Sequence, residues 1–495
     1  MKKILNKNLY YIVSITFILL FLVHLPLMTK NIITADVLLN NNYYNGYSWE
    51  LSLGRFGLYI LGIIKGFITV PHLELIICYL LIGIITYLLI DIFEVDNKLN
   101  KALIILFMVL SPIISANLLF TYCSSSYLLA FLSGILSIYL YNKLKNKFLK
   151  VIIPIILIIT SLSIYQAYLS LIVTLFILYE LKLIFDHKSN YKQAINYIIM
   201  ILISIIVYFI LVKISQLVFH INMADYSNAN NIGLGLITSI PSKIIDSYIL
   251  TYRFLFTDTF MKNTYLHNNI LNLLLILSFI LSIIINIINN KLNTKEIISV
   301  LLIIILLPIF LNSIIFVISD TKLQLLMASS YLLLPVYVFS IINTKYIKIS
   351  VIIISVLLLR NYTIQVQATY KTLENTYNTY QSLINTALSK YVNTIEEYDF
   401  AIVGKLNNSN ELKNNISKLN YGYISDEDLF WDEYNLRKLA FEKLANDYYG
   451  LNLKYTSEEK YNELLNNTND KILYSINETI VINLNNYKEK NYSNE

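Results

Sequence analysis

Few residues of this chain carry charge where charge is costly, and chemistry has to be sought among those few. Asp36 stands about seven residues past the first long apolar run. That depth suits an acid or base meeting a lipid head group, and it equally suits a helix cap or an interfacial carboxylate. Arg55, in the sequence LGRF, closes the same polar stretch. The chain otherwise prefers lysine, so Arg55, Arg253 and Arg360 stand out before residue 362. An arginine fork matches phosphate oxygens, and it also snorkels to anchor a helix. Glu50 is the nearest second acid, and Trp49 with Tyr47 fits either a sugar-stacking platform or an interfacial aromatic belt. Tyr165 and Gln166, in SIYQAYLS, interrupt a long apolar run. An amide there is expensive without a partner, and a helix–helix hydrogen bond is its plainest use. Glu74, Asp225, Asp246, Asp258 and Asp320 complete the acids expected near the same side. An acid at one end of a polar loop and an arginine at the other suit a reaction on a negatively charged lipid head group.

Other chemistries have little footing. His72, His220 and His267 make no metal-ligand spacing, and Cys78 and Cys123 lie in apolar segments, which argues against a disulfide framework or a zinc site. With 12 glycines and no Walker or Rossmann pattern, no nucleotide site and no cofactor are expected.

The elements that must position these residues are membrane helices. The chain has 495 residues, 56% hydrophobic and 14% charged; a soluble protein is about a quarter charged. The abundance of Ile, Asn, Lys and Tyr reads as composition bias. Apolar runs reach the roughly 20 residues that cross a bilayer, at 9–29, 70–91, 102–120, 125–141, 151–165, 166–185, 194–216, 268–289, 297–317, 324–342 and 348–362. The first run is too long for a signal peptide and lacks a small-residue cleavage site, so it reads as a retained span. An all-α polytopic membrane protein with about 11 transmembrane helices is expected. The lysine-rich loops, KLKNKFLK at 143–150 above all, place the N-terminus in the cytoplasm by the positive-inside rule. An odd number of spans then puts the C-terminal part outside.

Two long loops face outward in this arrangement, 30–69 and 217–267. Each contains a stretch that reads as an interfacial helix, FGLYILGIIKGFI at 56–68 and the run after Pro241. From Tyr362 to Glu495 there are 13 basic and 19 acidic residues, net −6, against 25 basic and 13 acidic in the remainder, net +12. That shift sets a domain boundary, 1–361 against 362–495. The tail reads as a polar helix at 363–393, a strand in YDFAIVGKL at 398–406, helices at about 431–448 and 457–466, and a strand in ETIVINL at 478–484. This makes a small extracytoplasmic α/β domain, whose negative charge argues against a nucleic-acid partner.

The first outer loop with Asp36, the ending Trp49…Gly54-Arg55, the break Tyr165-Gln166-Ala167-Tyr168 and a small outer domain closing in IVINL together resemble a known family. It is the glucosyltransferase family typified by phage serotype-converting enzymes, the GtrII type, of the GT-C class. The resemblance implies transfer of a hexose, glucose above all, from undecaprenyl-phosphate-hexose to a cell-surface glycan. The acceptor would be lipopolysaccharide, teichoic acid or another surface polymer. The reaction would take place on the outer face of the cytoplasmic membrane, with inversion at the sugar. It implies Asp36 as the catalytic acid of the first loop, Arg55 as the holder of the donor phosphate, and Tyr165 and Gln166 as cavity lining. Trp49, Glu50 and Arg253 complete the expected substrate-binding set. The family often has a second acid beside the first, and here Val37 follows Asp36, so metal dependence stays open. A lipid-linked sugar flippase would share the setting but calls for midspan charges and two related halves, whereas midspan charges are few and no internal repeat is seen. A polysaccharide polymerase or ligase would place its large outer loop late in the chain.

Overall fold

The computed structural model describes residues 2–40, 47–224, 239–257, 268–317, 324–342, 345–391, 398–404, 433–445, 453–466 and 471–484. The chain forms two compact units. The first is built mainly of Met1–Leu25 and Asn42–Val366, the second of Pro26–Asn41, Gln367–Leu419 and Tyr423–Glu495.

The first unit is helical. Among the described residues eight helices are long and apolar enough to cross a membrane, nine if one bent pair counts as a single span. Pro71–Ile92, Ser124–Lys143 and Tyr168–Phe185 are mostly buried, whereas Tyr191–Phe219 and Thr294–Leu311 are mostly exposed. The exposed faces of the outer two are apolar, as Ile206, Ile210, Leu301 and Ile305 illustrate. Such faces suit a lipid environment, where a helix satisfies its own backbone. Asparagines that composition alone leaves unremarkable start four of the helices. Asn97, Asn146, Asn190 and Asn293 each accept a backbone N–H in the first turn, and Glu296 completes a capping box with Asn293. Each cap contributes about 1 kcal/mol.

The helices depart from the expected spans where the local chemistry demands it. The run 102–120 forms Lys98–Leu110 and Pro112–Leu119, bent by 40°. Pro112 has no N–H to continue the ladder, and Ser111 caps the second helix instead. The run 324–342 begins as a 3-10 helix, Leu325–Leu332, before the α-helix Leu333–Ile341. Pro335 cannot donate to the carbonyl four residues back. The run 151–185 does divide, into Lys147–Ile164 and Tyr168–Phe185, at Tyr165–Ala167. The stretches 348–362 and 363–393 form one helix, Lys345–Lys390, with neither Pro nor Gly to stop it. The helices expected in the two long loops are Phe56–Ile64 and Ile240–Phe256. Asp225, Asp258, His267 and Asp320 lie outside the described residues.

The second unit holds a three-stranded sheet, β1 (Asp399–Val403), β2 (Leu473–Ile476) and β3 (Thr479–Asn483), in the order β1-β3-β2. β1 runs parallel to β3, and β2 antiparallel to it. The β2–β3 hairpin turns on Asn477 and Glu478, at φ 43 and 60, the left-handed pair a two-residue turn needs. The helices Tyr434–Lys443 and Glu458–Leu465 also belong to this unit. Buried Arg437 donates to Ile402 O at 2.9 Å and Gly404 O at 3.0 Å, holding the end of β1. The short helix Ala35–Leu39 packs here against Tyr434–Lys443, and Lys30 pairs with Glu374 at 2.8 Å.

Candidate active site

The helix Tyr47–Ser52 ends in a turn that only glycine makes easily. Gly54 has φ 78, its N–H reaches Leu51 O at 3.0 Å, and the Arg55 N–H reaches Glu50 O at 2.8 Å. This is a Schellman ending with glycine in the left-handed position. A Cβ at Gly54 would lie 2.9 Å from the Tyr208 hydroxyl oxygen and 3.2 Å from Val212 Cγ2. The turn therefore delivers Arg55 to a fixed place, and the Phe56–Ile64 helix follows at once.

Around Arg55 the chain gathers partners from distant positions. Nη1 donates to Glu50 Oε2 at 3.2 Å and to the Tyr127 hydroxyl at 3.4 Å, and Nε donates to Gln166 Oε1 at 3.4 Å. The guanidinium lies over the Tyr165 ring, 5.1 Å from its centroid, a cation–π contact that helps fix its place. Glu50 is almost fully buried, at 6% side-chain exposure, with Arg55 at 19%. A buried carboxylate at this depth needs such a partner. Tyr165 stacks on Tyr127 with centroids 4.6 Å apart.

Gln166 ties three elements together. Its amide donates to Leu53 O at 2.6 Å and to the Tyr208 hydroxyl at 2.8 Å. Tyr208, on the Tyr191–Phe219 helix, donates in turn to Gly54 O at 3.1 Å. The break at 165–167 leaves Gln166 unconstrained by a helical ladder, and its side chain fixes the turn that carries Arg55.

A second polar group lies at the start of the Ser124–Lys143 helix. Lys65 Nζ donates to Glu74 Oε1 at 2.8 Å, to Ser125 Oγ at 2.8 Å and to Ser126 Oγ at 3.2 Å. Cys78 donates to Ser124 Oγ at 3.3 Å. Cys123, which precedes this helix, has its thiol pushed well up by burial and then by the negative charge of Glu50, so it stays protonated and does not serve as a thiolate.

Glu50, Arg55, Tyr165 and Gln166, all expected from sequence, thus come together. Trp49 sits beside them in the chain with half its surface exposed. Arg253 is exposed in the last turn of Ile240–Phe256, and none of the contacts described for it reaches this cluster. Asp36 lies in the second unit, in the first turn of Ala35–Leu39, where Thr34 caps the helix and Asn40 Nδ2 donates to Asp36 O at 2.9 Å. Tyr127, Tyr208, Lys65, Ser125 and Ser126 were not foreseen. The triple serine at 124–126 is visible in sequence, but its proximity to Lys65, some sixty positions earlier, is not. Among the described residues no three His, Cys, Asp or Glu side chains gather as a metal site.

Mostly helical, with eight helices among the described residues long and apolar enough to cross a membrane and an arginine-centred cluster at a helix break, the chain has the character of a membrane-inserted protein. The profile of the glucosyl transferase GtrII family matches residues 25–341, and the chain belongs to that family. The family suggests a glucosyltransferase, which uses a sugar donor and a glycan acceptor. The match includes Asp36, Glu50, Arg55, Tyr165, Gln166 and Arg253; the sheet that closes in IVINL lies beyond it. Comparison with curated proteins and with solved structures gives no match.

Proposed function

We propose that this protein transfers a hexose, glucose by family, from undecaprenyl-phosphate-hexose to a cell-surface glycan on the outer face of the cytoplasmic membrane. The observation that carries the reading is Arg55, held by Glu50, Tyr127 and Gln166 beside the Tyr165 ring. A guanidinium placed in this way suits a phosphodiester. As the bond from C1 to the phosphate oxygen breaks, the leaving lipid phosphate gains a negative charge. A fixed cation therefore interacts more strongly with the transition state than with the bound donor. Glu50 orients the guanidinium before the donor arrives, so little reorganisation is left to the reaction.

In this reading an acceptor hydroxyl oxygen attacks C1 on the face opposite the phosphate. The new C–O bond forms as the old one breaks, and the anomeric centre inverts. The hydroxyl proton passes to a carboxylate, for which Asp36 is our assignment, and undecaprenyl phosphate leaves. Lysine-rich loops on the opposite side support the outward placement of this chemistry.

The test gives purified full-length protein radiolabelled undecaprenyl-phosphate-glucose and candidate glycan acceptors. Donor loss is expected, and Asp36→Asn is expected to slow it by about 100-fold or more, the usual contribution of a general base. Turnover unchanged in Asp36→Asn removes the base assignment. Movement of intact donor across liposomes, with no transfer, replaces the transferase by a flippase.

A further inference from the structure

We propose that Lys65, Glu74, Ser125 and Ser126 form a polyol-binding subsite that holds the ring hydroxyls of the donor hexose, an assignment that rests on the transferase reading above. The cluster contains a carboxylate only half used. Glu74 is 95% buried, since its relative exposure is 5%. Oε1 accepts from Lys65, while Oε2, also buried, accepts no hydrogen bond among the described residues. A charged acceptor left unmet at such a position is costly, and a ligand donor there removes that cost. Ser125 and Ser126 accept from Lys65. A serine hydroxyl also donates, and neither of these donates to another described residue.

The cluster therefore offers an acceptor and donors side by side. A sugar hydroxyl, which donates and accepts at once, answers both. Other ligands fit less well. A phosphate would meet the Glu74 carboxylate, with the Lys65 charge already engaged. A metal cation would find one carboxylate and a competing ammonium 2.8 Å away. Lys65 is the most exposed of the four, at 27% of its side chain, and so marks the side open to a ligand. It stands on a turn where Gly66 and Phe67 take φ 65 and 56. A Cβ at Gly66 would meet nothing within 4 Å, so the turn is open on that side.

The first turn of the Ser124–Lys143 helix places this subsite next to the phosphate position. Ser125 and Ser126 meet Lys65, and Tyr127, the following residue, meets Arg55. The buried Cys123 side chain lies within electrostatic reach of Glu50, Lys65 and Arg55 alike. A hexose linked through C1 to a phosphate at Arg55 would then present its ring to Glu74 and the serines.

The experiment compares two lipid ligands in the full-length protein: undecaprenyl-phosphate-glucose as substrate and sugar-free undecaprenyl phosphate as competing inhibitor. Glu74→Gln, which keeps the volume and removes the charge, is expected to raise the KM for the donor about tenfold or more. Inhibition by the sugar-free lipid is expected to stay within about twofold, because only the hexose reaches Glu74. A merely structural role would weaken both ligands together, and that result overturns the subsite. So does a donor KM unchanged in Glu74→Gln. Ser126→Ala gives the same comparison if Glu74→Gln does not accumulate as folded protein. Wild-type protein that consumes donor while the variants lose no discrimination sinks the subsite alone. Wild-type protein that neither consumes nor binds the lipid-linked sugar sinks the transferase reading and this occupant with it.

Discussion

Replacing Gln166 by leucine asks whether the amide at the helix break really holds the turn before Arg55. Leucine is close to glutamine in size, so packing is largely kept and the polar contacts are lost. Leu53 O loses its donor at 2.6 Å, and the Tyr208 hydroxyl loses the one at 2.8 Å while still donating to Gly54 O at 3.1 Å. The contact with Arg55 Nε at 3.4 Å adds little. An orphaned carbonyl costs about 1–3 kcal/mol and a lost ordinary hydrogen bond about 1 kcal/mol, together about 2–4 kcal/mol. At about 1.4 kcal/mol per tenfold, local opening of the turn becomes roughly 30- to 700-fold more frequent. Hydrogen–deuterium exchange over peptides covering 50–57 reads this directly, because the Gly54 and Arg55 amides close the turn. Faster exchange confined to this segment and to the helix bearing Tyr208 is expected, and Tyr208→Phe should produce most of it by itself. Exchange at 50–57 that stays at the wild-type rate would refute the claim that Gln166 anchors Arg55. A uniform rise over all helices would mean that Gln166 supports the whole bundle and not this turn.

Two further outcomes follow from the same geometry. Gly54→Ala places a methyl 2.9 Å from the Tyr208 oxygen at φ 78; the left-handed backbone alone costs about 1–2 kcal/mol, so donor turnover should fall at least about tenfold, with little change in overall unfolding by denaturing detergent. His187 sits in the 186–190 loop with Nδ1 2.9 Å from Glu296 Oε1 and Nε2 2.7 Å from Asn290 O. Both ring nitrogens face acceptors, which favours the doubly protonated ring, and its pKa is raised above the usual 6.5, first by Glu296 and then by the Asn290 carbonyl. The sign follows: the folded protein holds this proton more tightly than the unfolded chain. The loop contact is therefore fully stabilising below about pH 6.5 and weakens as pH rises through the higher folded value. A histidine NMR titration should place the His187 midpoint above 6.5, and Glu296→Gln should bring it down.

What the sequence determined was the solvent of each segment and the residue types a site would need. Apolar runs of twenty residues specify helices because no other backbone satisfies itself in lipid. Gln166 and Arg55 could be singled out because polar side chains are rare and costly in such surroundings. The break at Tyr165–Ala167 was legible for the same reason, whereas the glycine before Arg55 entered only through the family resemblance. In the tail, β1 and β3 were legible as apolar alternation, whereas β2 was missed, because its turn, Asn477-Glu478, lacks the glycine that usually marks a hairpin. The length of the Lys345–Lys390 helix was also missed: the change from apolar to polar at residue 362 alters which solvent suits the side chains, not the backbone conformation.

What only the tertiary structure decided was who meets whom. Arg55, Tyr127, Gln166 and Tyr208 are spread over more than 150 positions, and no periodicity links them. Their meeting depends on helix packing, which is set by the shapes of hundreds of apolar side chains acting together. The same holds for Lys65, which reads as an ordinary surface lysine until Glu74 and two serines close around it. Arg253, chosen on residue type alone, lies exposed on its own helix. Asp36 belongs to the unit that contains the sheet, although it is only nineteen positions from Arg55. Residue type states what a side chain is able to do; the packed chain states what it has to do it with.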